Sequence, residues 1–251
     1  MNRSEELRVI PVIGLPEFSE GKSIGAEIAT HTELLEGDVV VVSQKIVSKV
    51  EGQVHRLGAV IPGAEARRLG AVLGKEPALV ELILAESREV LRAERGVLIT
   101  ETRHGFVCAN AGVDSSNLPE ADTVSLLPED PDASARRIRA EIRGAAGINP
   151  AVIVSDSLGR AWRLGQAEVA IGCAGITPID DWRGRPDSGG RKLEATMIAI
   201  ADQAAAATDL VRDKVSRIPA AIVRGLDRYV IADDGPGAVA LRRPRGEDLF
   251  R

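Results

Sequence analysis

Four consecutive valines, Val39–Val42, stand between the turn-like EGD at 36–38 and a polar SQK. A β-branched run without alternation leaves neither face polar, so it reads as a short buried strand. Ala151–Val154, AVIV, repeats the pattern and passes straight into SDSLGR. Buried strands need covering layers, and the intervening segments offer them. The spacing predicts helices around Ser23–Thr30, over 63–74 and 77–92 with Pro77 in the first turn, over 128–143, and over Lys192–Arg212. Further strands are expected at 7–13, an edge strand because of Pro11, and at Val97–Thr102 and Ala220–Arg224. SQKIVSKVEG alternates apolar and polar side chains, and GQAEVAIGCAGI reads as strand or tightly packed connection. Segment 177–191 reads as a charged, Gly-rich loop, and 233–251 as a loosely packed tail. Helices and strands interleave, so the class is α/β, or mixed α+β. Weak boundaries suggest a single unit over 1–251, with two lobes open.

Composition removes several functions. Thirty-two Lys and Arg against 37 Asp and Glu leave a net charge of −5, which does not suit a nucleic-acid binder. Aromatics make up 2% of 251 residues, too few for base-stacking platforms. Cys108 and Cys173 lie in small apolar surroundings and read as buried reduced thiols rather than a disulfide or zinc site. No signal-peptide core opens the chain and no apolar run reaches membrane length, so neither a membrane nor an oxidising compartment is expected. GKS at 21–23 lacks the earlier glycine of a P-loop, GPGAVA at 235–240 sits in the tail, and no nucleophile elbow occurs.

Two acids stand out. Asp114, in NAGVDSSN, and Asp156, in VIVSDSLGR, each end an apolar strand-like run. Carboxylates beside Ser or Asn give hard oxygen ligands that suit Mg2+ or Mn2+. Asp at such junctions equally forms Asx-turns and helix N-caps, and the pattern does not separate these uses. Basic residues favour arginine, and Arg160, Arg163, Arg183, Arg185 and Arg191 crowd the second half near Trp162 and Trp182. Guanidinium groups bind phosphate and carboxylate oxygens in bidentate fashion. Arg160 and Arg163 follow Asp156 within one glycine-containing segment, which fits a phosphate-and-metal site. His104, ahead of Asp114 in ETRHGFVCAN, is a secondary catalytic candidate.

In order, PVIGLPE, GDVVVVSQKIVSKVEG, ETRHGFVCANAGVDSSN, LLPEDPDASARRIR, VIVSDSLGRAWRLGQAEVAIGCAGI, DDWRGRPDSGGRKLEAT and IPAAIVRGL occur between Arg8 and Leu226. Taken together they resemble the coenzyme F420-0:L-glutamate ligases, the gamma-glutamyl ligases. The resemblance implies GTP-dependent addition of L-glutamate to coenzyme F420-0, a deazaflavin precursor, through an acyl phosphate. It implies a family-specific fold with mixed sheets, an intertwined homodimer in the cytoplasm, Mg2+ or Mn2+ at the site, and assistance from K+.

By the same resemblance, Asp114, Asp156 and Ser157 hold metal, with Asp114, Asp156 and Arg160 carrying catalysis. Gly14, Leu15, Pro16, Ser43, Gln44, Lys49 and Asn117 fall on the family's guanine-nucleotide contacts. No nitroreductase-like extension follows, which implies the stand-alone form. Three departures stand against the pattern: Leu164 in RAWRLGQ, Gln203 after the AD pair, and Arg212–Arg217, where Asp213 and Arg217 take glycine-like positions. They motivate two alternatives, a non-catalytic paralogue that binds nucleotide or deazaflavin, and a ligase with a changed acceptor or amino acid. Trp162 and Trp182 suit a substrate wall or core packing equally.

Overall fold

The computed structural model describes residues 6–116, 118, 120–213 and 215–249. In chain order its strands are β1 (Arg8–Pro11), β2 (Val39–Ser43), β3 (Val54–Arg56), β4 (Ser87–Glu94), β5 (Val97–Thr102), β6 (Val107–Ala109), β7 (Thr123–Ser125), β8 (Ala151–Arg160), β9 (Arg163–Ala174), β10 (Ile179–Asp181), β11 (Met197–Ala199) and β12 (Ala220–Arg224). Its α-helices are α1 (Ile24–His31), α2 (Gln44–Val50), α3 (Ala64–Leu73), α4 (Pro77–Ala85), α5 (Pro131–Ala146) and α6 (Ile200–Asp209). The class is mixed α+β.

The main sheet has the order β1-β12-β2-β8-β9, with β2 and β8 parallel and every other neighbour antiparallel. The valine run is central and covered on both sides. Val40, Val42, Val152, Val154 and Ile222 pack toward α1 and α5 through Ile24, Ile28, Ile138 and Ile142. Val39, Val41, Ile153 and Val223 pack toward α6 through Ala201, Ala204 and Ala205. A third core joins α3 and α4 to β5 through Leu69, Leu73, Val80, Ile83 and Leu98. β1 takes the edge, as Pro11 requires.

Local preference and tertiary pairing disagree in several places, among them 177–191, read as a loop, where Ile179–Asp181 forms β10. The helix expected over 77–92 stops at Ala85, and Ser87–Glu94 becomes β4. Pairing with β5 and the ion pair of buried Glu86 with Arg103 at 2.9 Å favour the strand. SQKIVSKVEG folds as α2, because Ile46, Val47 and Val50 share a helical face and all three are buried. The helix expected from Lys192 begins only at Ile200, since Met197–Ala199 pairs with β10. Asp156 also lies within β8, which runs on to Arg160 as one arm of a long hairpin with β9. Within 233–251, Ala238 is buried and Asp234 pairs with buried Arg139 at 2.8 Å, whereas 243–247 is exposed. No helix among the described residues is long and apolar enough to cross a membrane.

Candidate active site

Strand direction decides where a site can form. Ser43 lies opposite Ser155 in the parallel pair β2 and β8, so both apolar runs reach the same sheet edge. β1 points the same way, being antiparallel to β12, which is antiparallel to β2. Val12 N–H donates to the Ala220 carbonyl at 2.9 Å and Ser43 N–H to the Pro219 carbonyl at 2.8 Å, which aligns the ends. Gly14–Pro16, Ser43–Gln44, Asp156 and the residues entering β12 therefore gather along one edge. Such carboxyl ends are where sheets of this kind hold ligands.

Asp114 reaches this edge from outside the sheet, through a single bridge to Ser125. The chain before it makes a left-handed turn, with φ of 54° at Asn110, 53° at Ala111 and 73° at Gly112. L-residues adopt this conformation at a cost of about 1–2 kcal/mol each, a strain that tends to collect at functional sites. A Cβ on Gly112 would meet the Leu127 side chain at 2.7 Å, so only glycine fits.

Asp114 Oδ1 accepts the Ser116 N–H at 2.8 Å, an Asx-turn, while Oδ2 accepts the Ser116 hydroxyl at 2.8 Å. Lys45 Nζ donates to Asp114 Oδ2 at 2.7 Å, to the Ser116 carbonyl at 2.8 Å and to Ser116 Oγ at 2.7 Å. Burial opposes the charge on Asp114, yet the bonds from Lys45 and Ser116 outweigh it and hold the carboxyl below its ordinary value. Asp156 behaves oppositely. Burial first, then the charges of Glu168 and Asp114, push it up to about 7 against the pull of the Ser157 N–H and Lys45.

These donors fit a divalent ion of the magnesium type. They are hard oxygens, and Asp156 is a carboxyl held against its preferred ionisation, which a bound cation would relieve. Among the described residues no three His, Cys, Asp or Glu side chains form a closed metal cage. Two carboxylates completed by water and phosphate is the usual magnesium arrangement, so Asp114 and Asp156 would supply two positions and leave the rest to water and to a substrate.

The other candidate residues distribute unevenly. Ser157 lies on the opposite face of β8 from Asp156 and donates to Glu168 Oε1 at 2.6 Å. Gly14 turns with φ 84°, and Leu15 packs on the core beside α1. Lys49 pairs with Glu17, which ties the segment after the GLP turn to α2. Gln44 is buried, with Oε1 accepting from the Ser48 hydroxyl at 2.9 Å. Arg160 sits at the exposed hairpin tip, where its Nε donates to the Gly165 carbonyl at 3.3 Å. Four residue steps along the strand separate it from Asp156, roughly 13 Å of extended chain. Trp162, at the same tip, is 74% exposed and is no part of the core. Trp182 is half-buried, with the Arg185 guanidinium 5.2 Å over its ring. His104 Nε2 lies 3.1 Å from the Glu129 carbonyl, and burial lowers the imidazole pKa. Asn117 lies outside the described residues.

Two residues of the site escaped the sequence reading. Lys45 is the second residue of α2, where the helix dipole disfavours a cation, and that misfit was a usable signal. Glu168 is the single charge in AEVAIGCA, Ala167–Ala174, and a charge in such a strand needs a partner. It finds Ser157 and Arg212.

The family model for the F420-0:gamma-glutamyl ligases matches residues 12–225. The chain is 42% identical to the coenzyme F420:L-glutamate ligase of Methanothermobacter thermautotrophicus, covering 98% of this chain and 99% of that protein. It is 40% identical to the protein of the same name from Methanocaldococcus jannaschii, again over 98% and 99%. A third so named, from Haloarcula marismortui, is 40% identical over 98% of this chain and 96% of its own. The left-handed turn before Asp114, the Lys45 pair and the Asp156 strand all lie inside the matched region, and the chain belongs to the F420-0:gamma-glutamyl ligase family.

Proposed function

We propose that this chain is a ligase of coenzyme F420 biosynthesis that joins L-glutamate to coenzyme F420-0 at the expense of GTP. The same site serves further gamma-glutamyl additions. The observation that carries the reading is the Lys45–Asp114 pair at the carboxyl edge of β2 and β8, whose charges are felt at Asp156, in a chain of this family.

The acceptor carboxylate attacks the γ-phosphorus of GTP, forming an acyl phosphate and releasing GDP. The amino group of glutamate then attacks the acyl carbon, phosphate leaves, a proton is lost and the amide forms. Mg2+ or Mn2+, when bound, neutralises phosphate charge, and Asp114 and Asp156 are the residues that hold it. Ser157, which turns to Glu168 on the other face of the strand, stays outside the metal set, and K+ assists. The turn at Gly14–Pro16 with Ser43, Gln44, Lys49 and Asn117 receives the nucleotide. Nothing in this chemistry needs a protein nucleophile, in keeping with the lack of a nucleophile motif. The protein works in the cytoplasm as a homodimer.

The test is GTP turnover measured as phosphate release with F420-0 and glutamate each omitted in turn, with products identified by mass spectrometry. Release that depends on both substrates and yields a glutamyl adduct supports the reading. Nucleotide binding without turnover would favour a non-catalytic paralogue. Adducts of another amino acid would indicate a changed substrate.

A further inference from the structure

We propose that Lys45 is an exchangeable counter-ion of the metal site: its ammonium occupies Asp114 Oδ2 and competes with a divalent cation for that oxygen. Metal entry then frees a lysine for the phosphates of the nucleotide. The inference rests on Asp114 being a metal ligand.

The geometry is specific. A carboxylate offers about four acceptor positions. On Asp114, Oδ1 is engaged by the Ser116 N–H, and Oδ2 by both the Ser116 hydroxyl and Lys45. An ammonium has three N–H groups, and those of Lys45 match Asp114 Oδ2, the Ser116 carbonyl and Ser116 Oγ, all within 2.8 Å. A surface lysine pairs loosely and keeps its water, but the Lys45 side chain is only 16% exposed. It stands in the first turn of α2, which contains no acidic residue. A cation at that end opposes the helix dipole, so its anionic partner has to come from elsewhere, and Asp114 is that partner. Inner-sphere binding at Oδ2 requires the ammonium to leave, and the positive charge lowers the affinity of any divalent ion arriving beside it. A lysine serving only to pin the 114–116 segment would, on removal, loosen the ligand and weaken metal binding. The two roles therefore predict opposite signs.

The experiment measures Mn2+ binding to the nucleotide-free protein by the electron paramagnetic resonance signal of free Mn2+, for wild type, Lys45→Met and Asp114→Asn. Lys45→Met is expected to bind Mn2+ about tenfold more tightly, and Asp114→Asn to lose binding. Unchanged or weaker binding in Lys45→Met, with binding lost in Asp114→Asn, overturns the inference alone. Undiminished binding in Asp114→Asn overturns the metal assignment and this inference with it. Should Lys45→Met fail to fold, acylation of lysines in the wild-type protein, read by mass spectrometry, decides the matter. Mn2+ is expected to raise Lys45 labelling at least about threefold while exposed Lys192 stays constant, and unchanged Lys45 protection overturns the proposal.

Discussion

Glu168 and Arg212 form a buried ion pair, with Nη2 of the arginine 3.4 Å from Oε2 of the glutamate. The glutamate's other oxygen accepts the Ser157 hydroxyl, and Arg212 Nη2 also reaches Thr208 Oγ1 at 2.8 Å. One residue belongs to β9 and the other follows α6, so the pair fixes the start of the 212–217 segment against the hairpin that carries Asp156. Burial lowers the Arg212 pKa and the charge of Glu168 raises it. Arg212→Met is expected to cost about 3 kcal/mol, because it leaves a buried carboxylate without its ion-pair partner near Asp156. Glu168→Gln is expected to cost less, since it keeps an acceptor for Ser157. Urea denaturation of both variants checks this, and an unchanged midpoint in Arg212→Met would make the pair dispensable.

Metal should stabilise the fold in a pH-dependent way through Asp156. Its folded-state value of about 7 exceeds the ordinary 3.8, so the metal-free fold favours the protonated acid. That contribution is fully present below about pH 4 and is lost as pH rises through about 7. A cation that binds the carboxylate reverses the preference. Mg2+ or Mn2+ is therefore expected to raise the thermal midpoint more at pH 8 than at pH 5.5. Equal shifts at the two pH values, in differential scanning fluorimetry, would count against Asp156 as a ligand.

Arg217 holds a φ of 55°, the left-handed region in which glycine pays no steric penalty. Its side chain is exposed, and Asp213 Oδ1 supports the loop by accepting the Val215 and Ser216 N–H groups at 2.8 and 2.6 Å. Arg217→Gly is expected to raise stability by about 0.5–1 kcal/mol, strain relief exceeding the added chain entropy. A lower thermal midpoint would mean that the arginine side chain itself holds the loop.

Neither cysteine should react while the protein is folded. Burial pushes both thiols up to about 12, with the charge of Asp156 adding to the effect at Cys108 and those of Asp132 and Asp202 at Cys173. At pH 8 only about one molecule in ten thousand carries the thiolate at either site. A disulfide reagent is expected to titrate two thiols in urea and none rapidly in native buffer. Rapid native labelling of Cys108 would show that the space beside Asp156 is more open than the packing suggests.

The sequence by itself determined the central strands and the edge position of β1. Both are local matters: valines with no polar face, and a proline without a donor. Only the tertiary structure decided that β4 is a strand, that Ser157 turns away from Asp156, and that Arg160 lies at a hairpin tip. It alone also brought Lys45 to Asp114, 69 residues away in sequence. The physical reason is that pairing, facing and charge neutralisation depend on groups distant in the chain. A lysine at a helix start or a glutamate in an apolar strand announces a missing partner, and only the fold supplies it.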